Sequence, residues 1–266
     1  MPESSDTFTI GGIFNPVSIP GLTIAVDYYD LEITDTIGDI SAMGICFDPL
    51  NTQGVFCDNI RRDETLNIAE LYEPTSNRGL QGTAGIDTHI QYTTDLPSSM
   101  ALFDDSAWFN INTTWTHMLS NEYQENVVTE VYDCAGYFGW PCVQDLNGAA
   151  VPVNRITSNL TYSSDPLDIH LTWRWIEGTR NAAPFYSADW GYPDPNMAVP
   201  RVSGRNYLDL GFGYSFLDAW LLRFGINNLS DEQPPQMADN VWSNNTDTGM
   251  YDVFGRTYYV SLSVEL

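Results

Sequence analysis

The feature that most constrains this chain is a two-residue alternation of apolar and polar side chains that returns nine times with no helical stretch between. Phe8, Ile10, Gly12 and Phe14 alternate with Thr7, Thr9 and Gly11, and Leu22, Ile24, Val26 and Tyr28 with Thr23, Ala25, Asp27 and Tyr29. Ala84, Ile86, Thr88, Ile90 and Tyr92 oppose Asp87, His89, Gln91 and Thr93; Phe109, Ile111, Thr113 and Trp115 oppose Asn110, Asn112, Thr114 and Thr116. The second half repeats the pattern more cleanly. Ile156, Leu160 and Tyr162 are followed by Leu167 to Trp175, Leu208 to Phe216, Trp220 to Ile226, and Tyr258 to Leu266. Each run predicts a strand with one apolar and one polar face.

Two architectures use such strands. In a soluble sandwich the apolar faces of two sheets meet across a core. In a membrane barrel they face lipid, and the polar faces line a wet lumen. Run length and loop length separate them. Each run spans about 9–12 residues, the length a tilted strand needs to cross a bilayer, whereas soluble strands average about 5–6. Short or moderate connections (Asn15–Gly21, Asp95–Ser106, Ser164–Pro166, Leu217–Asp218) alternate with long ones (Thr34–Gly79, Ser120–Asn154, Gly178–Arg205, Ser230–Val253). Short turns at one rim and long loops at the other are the outer-membrane pattern, with the short turns periplasmic. Aromatics near the strand ends, among them Tyr28, Tyr92, Trp115, Trp175, Phe216, Trp220 and Tyr258, sit where interfacial girdles lie. The expected fold class is therefore all-β: an antiparallel up-and-down transmembrane β-barrel, partial, about nine strands of a larger barrel. A chain that ends on an alternating strand at the periplasmic rim places all four long loops outside the cell.

Composition narrows the partners. A formal charge of −25 with only 10 Lys and Arg excludes nucleic acid, since phosphate binding needs clustered basic residues. The acids lie mostly between the alternating runs, as solvated loops require; cation binding by those loops is the sharper alternative. Charged residues make up 17% of the chain, below the roughly 25% of soluble domains, which suits a surface partly in lipid. The four cysteines form two local pairs, Cys46 with Cys57 and Cys134 with Cys142, neither at zinc or redox spacing and neither near a His. Each pair lies in a long polar segment, so two loop-stapling disulfides of an oxidising compartment are expected, and no metal site. No stretch of 18 or more apolar residues exists for a transmembrane helix. The segment Met1 to Asp6 lacks the basic start and apolar core of a signal peptide, so the export signal is expected on a longer chain.

Several segments resemble the C-terminal half of TonB-dependent receptors. Phe224-Gly225-Ile226-Asn227-Asn228-Leu229-Ser230-Asp231-Glu232-Gln233-Pro234-Pro235 is similar to that family's penultimate-strand motif, and Tyr251-Asp252-Val253-Phe254-Gly255-Arg256-Thr257-Tyr258-Tyr259-Val260 to its last-strand motif. Pro2-Glu3-Ser4-Ser5-Asp6-Thr7, the strand Gly21 to Asp30, the Cys46–Cys57 loop with Arg62-Asp63, and Gly85-Ile86-Asp87 follow the family order. The resemblance covers nearly the whole chain, residues 1–266. It implies active uptake of a scarce nutrient (an iron chelate, a cobalamin-like molecule or an oligosaccharide) across the outer membrane of a Gram-negative bacterium. Implied partners are outer-membrane lipid and lipopolysaccharide, a small-molecule nutrient, and the TonB complex reached through an N-terminal region. Family barrels have about 22 strands around a plug. Nine is odd where single-chain bacterial barrels are even, and neither plug nor TonB box is visible, so a C-terminal fragment is expected. The motif residues themselves are read as structural. Asn227 and Asn228 close a strand at the outer rim, where an amide can bond loop backbone. Pro234-Pro235 stops further pairing. Gly255 frees the backbone where the last strand re-enters the sheet.

Candidate ligand contacts are the outer-loop aromatics Trp140, Phe185, Tyr186, Trp190, Tyr192 and Trp242, set among Asp and Asn. Aromatic faces flanked by polar groups suit sugars or aromatic iron chelates, although loop packing uses the same residues. With so few basic residues, strongly anionic ligands fit poorly unless charge is supplied from outside this chain. No catalytic residues and no cofactor are expected. His89, His117 and His170 lie on separate strands without a Ser or Cys nucleophile motif, and Asp209 and Glu265 are read as lumen polarity. The alternative reading is a soluble β-sandwich module that binds a ligand through its loops.

Overall fold

The computed structural model describes residues 2–39, 41–47, 51–77, 79–103, 105–124, 126, 128, 130–139, 142, 150–182, 199–217, 219–237 and 245–264. Nine long strands form one antiparallel sheet in chain order: β1 Ser4–Phe14, β2 Leu22–Thr34, β3 Leu80–Leu96, β4 Ala107–Tyr123, β5 Asn154–Ser164, β6 Leu167–Ile176, β7 Arg205–Phe216, β8 Trp220–Asn227 and β9 Thr257–Val264. A two-residue strand, Tyr132–Asp133, adds to the end of β4. The short connections join antiparallel neighbours, and each of the four long loops also returns the chain to the adjacent strand, which gives up-and-down order.

The register brings the nine apolar runs onto one face. Leu22 pairs with Tyr92, Tyr92 with Ile111, Ile111 with Leu160, Leu160 with Leu171, Leu171 with Leu210, Leu210 with Ile226 and Ile226 with Tyr258. The next row along the strands is polar throughout: Thr23, Gln91, Asn112, Asn159, Thr172 and Asp209. A one-residue slip anywhere would have sent one strand's apolar set to the wrong face. The sandwich reading is overturned here. Val26 is 43% exposed, and Leu222, Phe224, Val260 and Leu262 are each at least 38% exposed on the apolar face. The remaining sheets among the described residues are two-stranded pieces inside the long loops.

Strand lengths depart from the expected run lengths in both directions. β3 and β4 each have 17 residues, while β8 and β9 have 8. Most of the extra residues of β3 and β4 lie at the long-loop end, where Gln81, Gly82 and Thr83 still pair with Tyr123, Glu122 and Asn121. Backbone pairing continues there without the alternation that lipid would impose. The register slips at Ala84/Gly85, where Met118 and Ser120 face consecutive residues and Leu119 is extra, a bulge that separates the two regimes. Leu266, the expected end of the last run, lies outside the described residues.

The buried core sits in the loops. Phe138, Ala150, Val202, Met237 and Tyr251 come from three long loops and close over Ile176 and Tyr207, which end β6 and begin β7 on the polar face. Beside this lies a second cluster, with Tyr123, Tyr132, Ala182 and the Cys134–Cys142 disulfide. The Cys46–Cys57 disulfide staples the first long loop, whose helix is the five-residue turn Ala42–Cys46. Both cysteine pairs expected from the sequence are bonded.

Candidate ligand-binding face on the long-loop side

The long loops between β4 and β5, β6 and β7, and β8 and β9 are fused into one cap. A small sheet starts it. Tyr137–Phe138 runs parallel to Arg180–Asn181, whose other edge meets Arg201. The Ala182 N–H donates to the Phe138 carbonyl at 2.9 Å, and the Val202 N–H to the Thr179 carbonyl at 2.9 Å. Phe138, Asn181 and Val202 point into the core, so Arg180 and Arg201 take the opposite, exposed face. The last loop is tied in by Asp247. Its Oδ2 accepts the Ala150 N–H at 2.9 Å, and its Oδ1 accepts the Gly249 N–H at 2.9 Å.

Beneath the cap, a charged network joins loop to strand. The Arg174 Nη2 of β6 donates to the Asp252 Oδ2 at 2.6 Å and lies 3.4 Å from the Asp209 Oδ2 of β7. Its guanidinium carbon lies 5.0 Å from the Tyr207 ring centre, close enough for a cation–π contact. The other Asp209 oxygen accepts the Asn228 N–H at 2.7 Å. Asn228 sits at φ 52° and bonds its own turn: its Nδ2 donates to the Glu232 carbonyl at 2.9 Å, and its Oδ1 accepts the Glu232 N–H at 2.8 Å. That is the rim role expected of its amide. Asp231 then accepts the Arg256 N–H at 2.9 Å, next to Gly255 at φ 67°. A side chain at Gly255 would meet both a left-handed backbone and the Asp231 carboxylate. The two motifs read from the sequence therefore interlock.

Four hydroxyls in this layer, those of Thr179, Tyr207, Thr246 and Tyr251, are buried, with Tyr251 beside Thr179 and Tyr207 beside the Asp252 backbone. Buried polar groups of this kind are the usual hosts of ordered water. Burial, with the Asp247 carboxylate nearby, pushes the Tyr251 phenol up to about 12, so it stays protonated at any physiological pH. In the first long loop, hydrogen bonds from Thr65 and Asn67 hold the Asp63 carboxyl below its ordinary value.

The six aromatics expected to contact ligand, Trp140, Phe185, Tyr186, Trp190, Tyr192 and Trp242, lie outside the described residues. They branch from segments that border the cap: Trp140 follows Phe138 and Gly139, Phe185 follows Ala182, and Trp242 lies between Met237 and Asn245. The sequence reading missed Arg180 and Arg201. They form a non-hydrogen-bonded antiparallel pair, flanked by the Asn181 N–H to Pro200 carbonyl and Val202 N–H to Thr179 carbonyl bonds. In that position side chains approach most closely, with Cα atoms about 4.5 Å apart. Among the described residues neither guanidinium forms an ion pair. Their only sequence signal is that two of few arginines flank one loop.

The three histidines are dispersed, as expected. His89 lies near the Thr114 hydroxyl, His170 near that of Thr161, and the His117 Nδ1 is 2.8 Å from the Asn154 Oδ1. Among the described residues no group of His, Cys, Asp and Glu could hold a metal ion, and no helix is long and apolar enough to cross a membrane. A cleft of about 660 Å³ lies at the opposite, short-turn end, between Pro166, Phe216, Trp220 and Val264.

The model of the TonB dependent receptor-like β-barrel family matches residues 1–229. No curated protein matches the chain by sequence. Among solved structures, a ferric enterobactin receptor mutant (PfeA) from Pseudomonas aeruginosa in complex with enterobactin superposes with a TM-score of 0.60 at 16% identity, over 98% of this chain and 31% of that one. The siderophore receptor PirA from Acinetobacter baumannii gives 0.55 at 16% identity, over 99% and 32%. The ferric-catecholate import receptor Fiu from E. coli K12 gives 0.54 at 11% identity, over 99% and 28%. The chain spans about a third of the length of these structures.

Proposed function

The chain belongs to the TonB-dependent receptor β-barrel family, and from that premise we propose that it supplies nine strands and four outer loops to an outer-membrane transporter for a ferric chelate. The apolar face of the sheet then meets lipid, and the polar face lines the lumen. The long loops are extracellular and the short turns periplasmic, a reading supported by the asymmetry of the connections. Energy for uptake would come from the TonB complex, engaged through a plug and N-terminal region that such receptors carry.

The observation that carries the choice of ligand is the Arg180–Arg201 pair on the cap. In a chain of net charge −25, an anionic ligand meets a repulsive field almost everywhere. Two guanidiniums on paired positions, with no ion pair among the described residues, reverse that locally and offer forked donors to carboxylate, catecholate or hydroxamate oxygens. An iron chelate also agrees with the structural neighbours, which are named for ferric enterobactin, a siderophore and ferric catecholate. An oligosaccharide or a cobalamin-like ligand would have little use for paired cations.

The test is uptake of radiolabelled iron by a deletion strain carrying the intact receptor gene or an Arg180→Ala/Arg201→Ala version. The expected result is TonB-dependent uptake from at least one ferric chelate, with half-saturation raised about tenfold or more in the double variant, since each charge-assisted bond is worth about 1.5–3 kcal/mol. Normal iron uptake in the deletion strain, with growth lost on cobalamin or an oligosaccharide, would overturn the ligand assignment.

A further inference from the structure

One connection at the short-turn rim does not behave as a turn. Pro97–Ser106 joins β3 to β4 and opens with a single 3-10 turn, Ser98–Met100. It then folds sideways across its neighbours instead of closing directly. The Leu102 N–H donates to the Ser164 Oγ at 3.1 Å, and the Tyr162 hydroxyl donates to the Met100 carbonyl at 2.7 Å. Both side chains belong to β5, and both lie on its apolar face, since Tyr162 pairs with Ile169 and Ser164 with Leu167. Phe103 reaches further still. Its ring packs edge-on against Tyr214 of β7 at 6.2 Å, and Tyr214 stacks on Phe216, which stacks on Trp220.

The connection is thus laid on the outside of the sheet, against an aromatic band at the end of the strands. Two of its backbone groups, the Leu102 N–H and the Met100 carbonyl, are met by Ser164 and Tyr162, and Ser164 is 1% exposed. Its large apolar side chains are nevertheless more than half exposed: Met100 55%, Leu102 59% and Phe103 60%. In water this arrangement would hold three large apolar groups in solvent by hydrogen bonds that could equally have held them inward. It is the arrangement expected of a segment that lies in a membrane interface, with satisfied backbone below and apolar side chains above.

We propose that Pro97–Phe103 is a membrane-interface anchor, which beds Met100, Leu102 and Phe103 in the acyl boundary of the leaflet at the short-turn rim. The proposal rests on the barrel reading above. Lipid is the occupant because Phe103 packs on the Tyr214–Phe216–Trp220 row, which joins these side chains to the apolar face of β7 and β8. The anchor widens the band at this rim from strand ends to a flap that spans β4 to β7. It fixes the depth of the barrel on that side.

The test uses nitroxide labels at Met100→Cys, Leu102→Cys and Phe103→Cys in the intact receptor reconstituted into phosphatidylethanolamine–phosphatidylglycerol vesicles. The four cysteines of this chain are disulfide-bonded, so within residues 1–266 only the introduced thiol reacts. Collisions with oxygen, which partitions into lipid, are compared with collisions with a water-soluble nickel chelate. Phe212→Cys on the apolar face is the lipid reference and Glu64→Cys in the first long loop the aqueous one. The ratio of oxygen to nickel accessibility is expected to be several-fold higher at all three positions than at Glu64. Nickel accessibility equal to that at Glu64 would overturn the anchor, and so would a label shielded from both reagents, which would place a protein partner on the patch. An aqueous signal at Phe212 would instead overturn the barrel reading itself.

Discussion

Arg174 shows how one side chain holds a loop to a wall. Its guanidinium bridges Asp209 on the neighbouring strand and Asp252 in the last loop, over the face of Tyr207. All three charged groups are about a third exposed or less, so solvent screens the attraction only in part. Removing the cation leaves two carboxylates facing each other on the lumen side. Arg174→Met is expected to destabilise the seat of the last loop by about 1–2 kcal/mol. Limited proteolysis of the folded receptor should then cut within residues 228–256 at lower protease concentration. Tyr207→Phe is the informative contrast, because it keeps the ring beneath the Arg174 guanidinium and removes only the hydroxyl. It should shift the same assay by no more than about 0.5 kcal/mol. Equal effects from the two variants would mean that ring packing, and not the ion pair, holds the loop.

At the scale of elements, the last pairing depends on a missing side chain. Tyr259 of β9 points to the polar face, and its ring lies over Gly225 of β8, with its hydroxyl reaching towards Gly211 of β7. A Cβ at Gly225 would fall within the Tyr259 ring. Two glycines on adjacent strands thus make room for one aromatic that covers both, a device that locks three strands in register. Gly225→Val should expel the ring and loosen β8–β9, lowering the temperature at which the folded form converts to the slower-migrating form in a gel. Restoring space with Tyr259→Ala in the same chain should recover part of the loss. No recovery would place the damage in the backbone of β8 and not in the ring. The same scale explains the cap: the three loops supply a hydrophobic core that the sheet lacks, because both faces of the sheet are otherwise assigned.

For the whole molecule, the decisive fact is that, among the described residues, β1 and β9 each pair on one side only in the nine-strand order. Their outer edges present rows of N–H and C=O groups, and each such group left unmet in hydrocarbon costs several kcal/mol. Directed to the outer membrane alone, the segment comprising residues 1–266 is expected to aggregate or be degraded and to support no TonB-dependent uptake. A protease-resistant, heat-modifiable monomer with uptake activity would show that these edges close on each other.

Much of this was legible in the residues alone. Period-2 alternation marked the number of strands and the face each side chain takes, because the pleat leaves no other way to keep Leu22, Tyr92, Ile111 and Leu171 together. Local chemistry likewise made the cysteine pairs and the rim roles of Asn228 and Gly255 readable, since each acts within a few residues of its partner or on its own backbone. The strand extensions of β3 and β4 were not readable, because pairing above the bilayer needs no alternation. Nor was the cap, whose parts come from three loops separated by whole hairpins. Arg174 and Asp252 are 78 positions apart, and Arg180 meets Arg201 only because a loop returns on itself. The outward fold of Pro97–Phe103 was equally hidden, because its partners Tyr162 and Ser164 lie about 60 residues further on. Periodicity reports which face a residue takes; which loop lies over that face is decided by contacts that leave no period in the sequence.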